Sequence, residues 1–242
     1  MRLVLEHARA TTIELARYPA YVVPTLVLPT VFFLFFAAPA GAVGASVRMA
    51  TFAGFAAIGV AFFQFGVGIA VERVSPWETF LRTLPIGPGV RLGARVLSAG
   101  VFATAAAGLL LAVAVTTTPA SLSVARWIGL VAALLVGTVP FALLGIALGY
   151  WAPARGALPI ANLLYLGLSY AGGLWIRPSR LPDGVAGISR FLPTRAFADV
   201  LIAPTIGGGI AWGAWATLVG FAALFAVCAR WGYRRDEGRR YR

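Results

Sequence analysis

Residues with catalytic or metal-binding side chains form no recognisable motif in this sequence. His7 and Cys228 are each the only residue of their type, which excludes an HExxH motif and a CxxC pair. No convincing Ser/His/Asp set is present either, because the one histidine lies at the extreme N-terminus. The sequence also lacks a GxxxxGKS/T nucleotide-binding loop. We therefore predict that the chain is not an enzyme and that it binds no metal or cofactor of its own.

The polar residues with the most informative spacing lie in the stretch 72–95. Ser75 can cap a helix, Pro76 suits its first position, and Glu78 completes a capping box three residues after the serine. Apolar residues then follow at helical spacing and a proline ends the element, namely Trp77, Phe80, Leu81, Leu84 and Pro85. The pattern predicts a short amphipathic helix, which can bind a partner protein or lie passively on the membrane surface.

Within the apolar runs of the sequence, Gln64 and Asn162 are the best-placed polar residues. Neither side chain can titrate, whereas ion-coupled carriers normally need a buried ionisable group. Hydrogen bonding between helices is the role we favour for both. Aromatic residues crowd the first two runs, where core packing and lipid contact explain most of them. The alternative is that residues in the runs line a path for a hydrophobic substrate. The candidate residues for this path are Phe33, Phe55, Phe62, Phe63, Gln64 and Asn162.

The elements that carry these residues are membrane spans. The chain is 60% hydrophobic and only 12% charged, with a mean hydropathy of +0.86, which is too apolar for an ordinary soluble domain. A hydrocarbon core about 30 Å thick needs about 20 apolar residues in a helix. Six runs approach that length: 21–38, 51–71, 96–117, 127–151, 158–176 and 209–229. We predict an all-α integral membrane protein with six transmembrane helices.

Arginine placement predicts the orientation of these helices. The sequence has 20 basic residues, all of them arginine, and 8 acidic residues. If the N-terminus lies in the cytoplasm, fourteen arginines fall on the inner side and six on the outer side. This bias favours a protein of the cytoplasmic membrane with both termini in the cytoplasm. Nucleic-acid binding does not explain the positive charge, because almost no water-facing surface is available for phosphate contacts.

We treat residues 1–242 as a single transmembrane domain with four special segments. These are an amphipathic N-terminal segment 1–20, the inner loop 72–95, an outer connector 177–208 and a basic tail 230–242. The connector carries four arginines and apolar stretches broken by prolines, as expected for short re-entrant helices that dip into the outer leaflet. An ordinary exposed loop is the alternative. The residues assigned to the re-entrant element are Phe191, Leu192, Pro193 and Arg195.

In these features the sequence resembles the permease subunit of ABC transporters of the type-2 exporter family (ABC-2), which includes multidrug, polysaccharide and lipid exporters. The six spans and a length near 240 residues extend the resemblance over essentially the whole chain. The matching segments are Glu72-Arg73, Trp77-Glu78-Thr79, Leu84-Pro85, Gly93-Ala94-Arg95 and the stretch from Phe191 to Phe197.

The resemblance implies an exporter of amphipathic or hydrophobic substrates, such as drugs, antibiotics or lipids, which works with a second permease copy or a homologue. ATP and Mg would bind to separate ABC ATPase subunits, into which the short inner helix would dock. The implied coupling residues are Glu72, Arg73, Ser75, Pro76, Trp77, Glu78, Phe80, Leu81, Leu84 and Pro85. The other partners are membrane lipids, with no nucleic acid.

Three alternatives stay open at this point. Glu72 can instead form an interfacial salt bridge with Arg73 or Arg95, which contributes little when exposed. The whole chain can be a six-helix scaffold that recruits a cytoplasmic partner without transport. It can also be an ion-coupled carrier, although the scarcity of ionisable groups in the runs disfavours this class.

Overall fold

The computed structural model of the chain describes residues 2–36, 41–76, 88–176 and 180–240, and all regular secondary structure in these ranges is helical. The N-terminal helix, Arg2–Ala16, packs against the beginning of the helix Pro88–Thr117, where Val4 meets Gly93. In chain order the helices are α1 (Arg2–Ala16), α2 (Pro19–Phe36), α3 (Ala42–Glu72), α4 (Pro88–Thr117), α5 (Val124–Trp151), α6 (Ala157–Ala171), α7 (Asp183–Ser189), α8 (Pro193–Thr205) and α9 (Trp212–Arg240).

Five helices in the described part of the chain, α2, α3, α4, α5 and α9, are long and apolar enough to cross a membrane. The run 158–176, predicted as the fifth of six spans, instead forms the shorter helix α6 of 15 residues, about 22 Å at 1.5 Å per residue. The chain is thus an all-helical multi-pass membrane protein. The six-span topology stays a prediction, because α6 is shorter than the hydrocarbon core.

The central helix of the bundle is α3. Nearly every side chain from Ala45 to Phe62 is buried, since α2, α4 and α8 pack around it. Helix α3 begins at Ala42, earlier than the predicted run 51–71. Arg48, three residues before the predicted run, lies within the helix and donates from Nη1 to the Phe36 carbonyl over 3.2 Å.

The connector 177–208 contains two helices, α7 and α8, rather than only exposed loop. Helix α8 packs against α3, α5 and α9, and the Phe197 ring lies 5.3 Å from the Phe141 ring between centroids. Gly54 and Gly137 make room for α8, because a Cβ at either position would clash with Leu201 or Phe197. Helix α8 is therefore part of the bundle, while its re-entrant depth in a membrane stays a prediction.

Helix α5 packs closely on α3 through two glycines. A Cβ on Gly145 would lie 2.5 Å from the Ala61 carbonyl oxygen, and one on Gly149 would lie 2.7 Å from Ile69 Cβ. Gly209 and Gly213 have the same four-residue spacing, but a Cβ at either position would have no neighbouring atom within 4 Å. The four-residue spacing of glycines thus accompanies a tight helix contact in α5, whereas Gly209, before α9, and Gly213, in its first turn, make no such contact with the described residues.

Candidate functional site

The ends of α3, α5 and α9 meet the beginning of α4 at one end of the bundle, which we call the arginine-rich end. Here Glu72, in the last turn of α3, forms an ion pair with Arg95 of α4. Arg95 also donates from Nη1 to the carbonyl oxygen of Gln64 over 3.0 Å. The Arg95 side chain is only 15% exposed, while that of Glu72 is 55% exposed, so most of the desolvated charge belongs to the arginine.

The second ion pair at this end joins α3 to the C-terminal helix. Arg73 Nη1 lies 2.7 Å from Asp236 Oδ1 of α9, and the two side chains are 18% and 11% exposed. Arg73 Nη2 donates to the Ala152 carbonyl at the end of α5 over 2.8 Å. One guanidinium therefore connects three helices, and Asp236 compensates its partly buried charge.

These ion pairs lie at the base of the predicted coupling helix. Ser75 is half-buried and its backbone N–H donates to the Glu72 carbonyl over 2.9 Å, while Pro76 is exposed. Thus two of the predicted coupling residues, Glu72 and Arg73, form the ion pairs, and Ser75 and Pro76 follow them closely in the chain. The remaining six lie outside the described residues, and their role stays a prediction: Trp77, Glu78, Phe80, Leu81, Leu84 and Pro85.

A hydrogen-bonded group of polar side chains lies inside the bundle, next to the Glu72–Arg95 pair. Gln64 Nε2 donates to Ser98 Oγ over 3.0 Å, and the Tyr21 hydroxyl donates to Gln64 Oε1 over 3.3 Å. Gln64 lies in a π-helical segment of α3, Ala61–Val67, and such segments are frequent at functional sites. Gln64 thus makes the interhelical hydrogen bonds expected of it and links α2, α3 and α4.

The aromatic residues proposed for a substrate path form one cluster between α2, α3 and α6. Phe55 stacks on Tyr165 with ring centroids 4.4 Å apart and planes 2° from parallel. Phe33 packs against Phe52, and Phe63 packs against the edge of Tyr165. Phe33, Phe55 and Phe62 are fully buried. Their rings fill the space between the helices, so passage of a substrate along them requires the helices to separate.

The other predicted site residues are spread more widely. Asn162 is half-buried one turn before Tyr165 in α6. It makes no hydrogen bond to another described residue, so the interhelical hydrogen bond expected of it is not observed there. At the beginning of α8, Pro193 is buried, Leu192 is half-buried and Phe191 is exposed. Arg195 is half-buried and pairs with Asp199 one turn later at 3.1 Å.

Three residues of this region were not identified from the sequence. Asp236 looks like an ordinary member of a charged tail, although it is followed by the acidic Glu237 in an otherwise basic segment. Tyr21 and Ser98 lie near the ends of apolar runs and carry no motif. A faint signal existed for Ser98, since it stands three residues after Arg95 and therefore on the same helical face.

Comparison with known proteins gives one informative similarity. No family model matches the chain, and no solved structure matches it. A Bacillus subtilis (strain 168) protein named "Putative transport permease YvfS" is 23% identical over 243 residues, covering 98% of this chain and 99% of the relative. The similarity extends from end to end and supports a function in membrane transport.

Proposed function

We propose that the chain is the membrane-spanning subunit of an ATP-driven ABC exporter of the type-2 family. It moves an amphipathic or hydrophobic substrate, such as a drug, an antibiotic or a lipid, across the cytoplasmic membrane, and a separate ATPase subunit hydrolyses ATP. All six runs then span or enter the membrane, with the arginine-rich end in the cytoplasm. The end-to-end similarity to a transport permease and the bias in arginine placement support this proposal.

The proposal rests on the two ion pairs formed by residues close to the segment 77–87. Glu72 holds α3 to α4 on either side of this segment, and Arg73 holds α3 to α5 and α9. A force applied by an ATPase to the segment would therefore be transmitted to four helices at once. A short amphipathic helix in the segment would provide the contact with the ATPase.

The aromatic cluster supports the proposed position of the substrate path. Phe55 of α3 and Tyr165 of α6 stack face to face, and Phe32 of α2 lies 6.0 Å from Phe55 between ring centroids. ATP-driven rearrangement of two permease copies would separate these helices and open an apolar path. Such a path suits hydrophobic substrates better than small ions.

Co-purification tests the proposal directly. We expect the intact protein, extracted in mild detergent, to bring down an ATPase with a Walker-type nucleotide site in stoichiometric amount. The complex in lipid vesicles should hydrolyse ATP. Recovery of the permease with a cytoplasmic protein that is not an ATPase would favour the scaffold alternative and contradict the exporter.

Glu78 provides the sharper test within that complex. We expect Glu78→Arg to preserve membrane insertion but to abolish ATP hydrolysis coupled to transport, because it reverses a charge on the predicted docking helix. Glu237→Arg is the matched control, since it reverses an exposed acidic residue on α9. Unchanged coupled hydrolysis in Glu78→Arg would remove Glu78 from the coupling role.

A further inference from the structure

A cavity of about 260 Å³ lies at the arginine-rich end, between the end of α5 and the last turns of α9. It is separate from the aromatic cluster and from the Gln64 hydrogen bonds. Six residues line it: Arg73, Tyr150, Trp151, Pro153, Arg235 and Asp236. None of the residues proposed for the substrate path lines this cavity, which shares Arg73 with the predicted coupling residues.

The charge of the cavity is positive. Arg73 and Asp236 compensate each other at 2.7 Å, which leaves Arg235. The Arg235 guanidinium stands over the Trp151 ring, 4.9 Å from its centroid, and no carboxylate of the described residues lies within 4.0 Å of it. Arg234, exposed on the adjoining surface, adds further positive potential. An occupant with net negative charge is therefore favoured.

The cavity lies where two membrane-length helices leave their apolar stretches. Trp151 is in the last turn of α5, and its Nε1 donates to the Cys228 carbonyl of α9 over 3.1 Å. Trp231 packs edge-on against Trp151, with ring centroids 5.2 Å apart. Paired tryptophans with an arginine beyond them are typical of the level of lipid head groups. The location thus favours a lipid over a free solute.

An exposed apolar stripe leads along α9 to the cavity. Leu224, Val227 and Trp231 are 53%, 66% and 64% exposed, and their spacing places them on one face of the helix. Arg235 follows Trp231 by four residues and continues the same face. The stripe is long enough for part of an acyl chain, because Leu224 and Trp231 are seven residues or about 10 Å apart along the helix.

We propose that this cavity and stripe bind one phospholipid with a net negative head group. The Arg235 guanidinium donates hydrogen bonds to the phosphate oxygens, and Trp151 supports the guanidinium from one side. The acyl chain lies along Leu224, Val227 and Trp231. A zwitterionic lipid binds more weakly because its ammonium group enters a positively charged site, and inorganic phosphate makes no use of the stripe.

Native mass spectrometry of the intact protein in detergent tests this site. The probes are phosphatidylglycerol, phosphatidylcholine and inorganic phosphate, each titrated separately. We expect phosphatidylglycerol to bind tightest, and Arg235→Gln to lower its affinity about fivefold. Arg234→Gln is the matched control, since it removes the same charge from the next residue outside the cavity. We expect it to change the affinity less than about twofold.

Three outcomes would overturn the proposal. Equal losses in the two variants would indicate unspecific attraction to the basic surface. Equal binding of phosphatidylcholine would remove the charge requirement, and inorganic phosphate that displaces phosphatidylglycerol would point to an anion site without lipid specificity. If Arg235→Gln does not fold, Arg235→Lys replaces it. The lysine keeps the charge but loses the bidentate geometry, so we expect it to lower the affinity for phosphatidylglycerol, but by less than the about fivefold loss expected for Arg235→Gln.

Discussion

Arg73 and Asp236 are 163 residues apart in the sequence, and their side chains meet at 2.7 Å. The contact fixes the end of α3, where the predicted coupling segment begins, to the C-terminal helix α9. Both side chains are mostly buried, so the contact belongs to the class of ion pairs whose disruption is costly. The C-terminal helix is therefore mechanically joined to the region that we propose an ATPase moves.

The first prediction concerns this ion pair. Asp236→Asn should lower the free energy of unfolding by about 1.5–3 kcal/mol, because the partly buried Arg73 loses its charged hydrogen-bond acceptor. Thermal or denaturant unfolding of the purified protein in detergent measures the loss. Glu237→Gln changes the neighbouring, exposed carboxylate and should lower the free energy by less than about 1 kcal/mol. Equal effects would show that Asp236 has no special role.

The second prediction separates the two members of the Glu72–Arg95 pair. Glu72→Gln should lower the free energy of unfolding by less than about 1 kcal/mol, since the Glu72 carboxylate is 55% exposed and water can replace it as the acceptor for Arg95. Arg95→Gln should lower it by about 1.5–3 kcal/mol, because it also removes the donor to the Gln64 carbonyl inside the bundle. Unfolding in parallel detergent samples compares the variants. A larger loss of stability for Glu72→Gln than for Arg95→Gln would contradict the smaller contribution that we infer for Glu72 from its exposure.

The third prediction concerns the close approach of α5 and α3. Gly145→Ala places a methyl group against the Ala61 carbonyl and should destabilise the protein by about 1–3 kcal/mol through overpacking. Gly220→Ala is the control, because nothing lies within 4 Å of a Cβ there. It should be neutral, or stabilising by up to about 1 kcal/mol through helix propensity. A tolerated Gly145→Ala would mean that the helices can move apart without cost.

The fourth prediction is a coupling energy between Gln64 and Ser98. A double-mutant cycle with Gln64→Ala and Ser98→Ala should give an interaction energy of about 0.6–1.7 kcal/mol, as found for hydrogen bonds between membrane helices. The control cycle pairs Gln64→Ala with Ser169→Ala, whose hydroxyl makes no hydrogen bond to Gln64, and should be additive. Additivity in both cycles would show that the Gln64–Ser98 hydrogen bond contributes nothing.

Sequence reasoning was most accurate where the signal is local. The apolar runs gave five membrane-length helices near their predicted positions, because the length and composition of a run are themselves the physical requirement for spanning lipid. It was less accurate at boundaries. Helix α3 begins at Ala42, nine residues before the predicted run 51–71, and includes Arg48, which donates a hydrogen bond to the Phe36 carbonyl.

The candidate site was only partly predictable. Gln64 was expected to bond between helices and does so, since a polar side chain in an apolar run has few other ways to be satisfied. From the sequence, either Arg73 or Arg95 is a possible ion-pair partner of Glu72, and in the structure the partner is Arg95. The partner of Arg73 could not be predicted, because Asp236 is one of several charged residues in the C-terminal segment and only the packing of α9 on α5 brings it close.

By itself, the sequence determined the class of this protein: an all-helical, multi-pass membrane protein with an arginine-rich side and almost no groups for catalysis. Helix length, hydropathy and charge bias are properties of consecutive residues. The tertiary structure alone decided that α8 is packed into the bundle, that Arg73 connects three helices and that Arg235 stands over Trp151 beside a cavity. These facts depend on the rotation and contact of helices far apart in the chain, which no local pattern encodes.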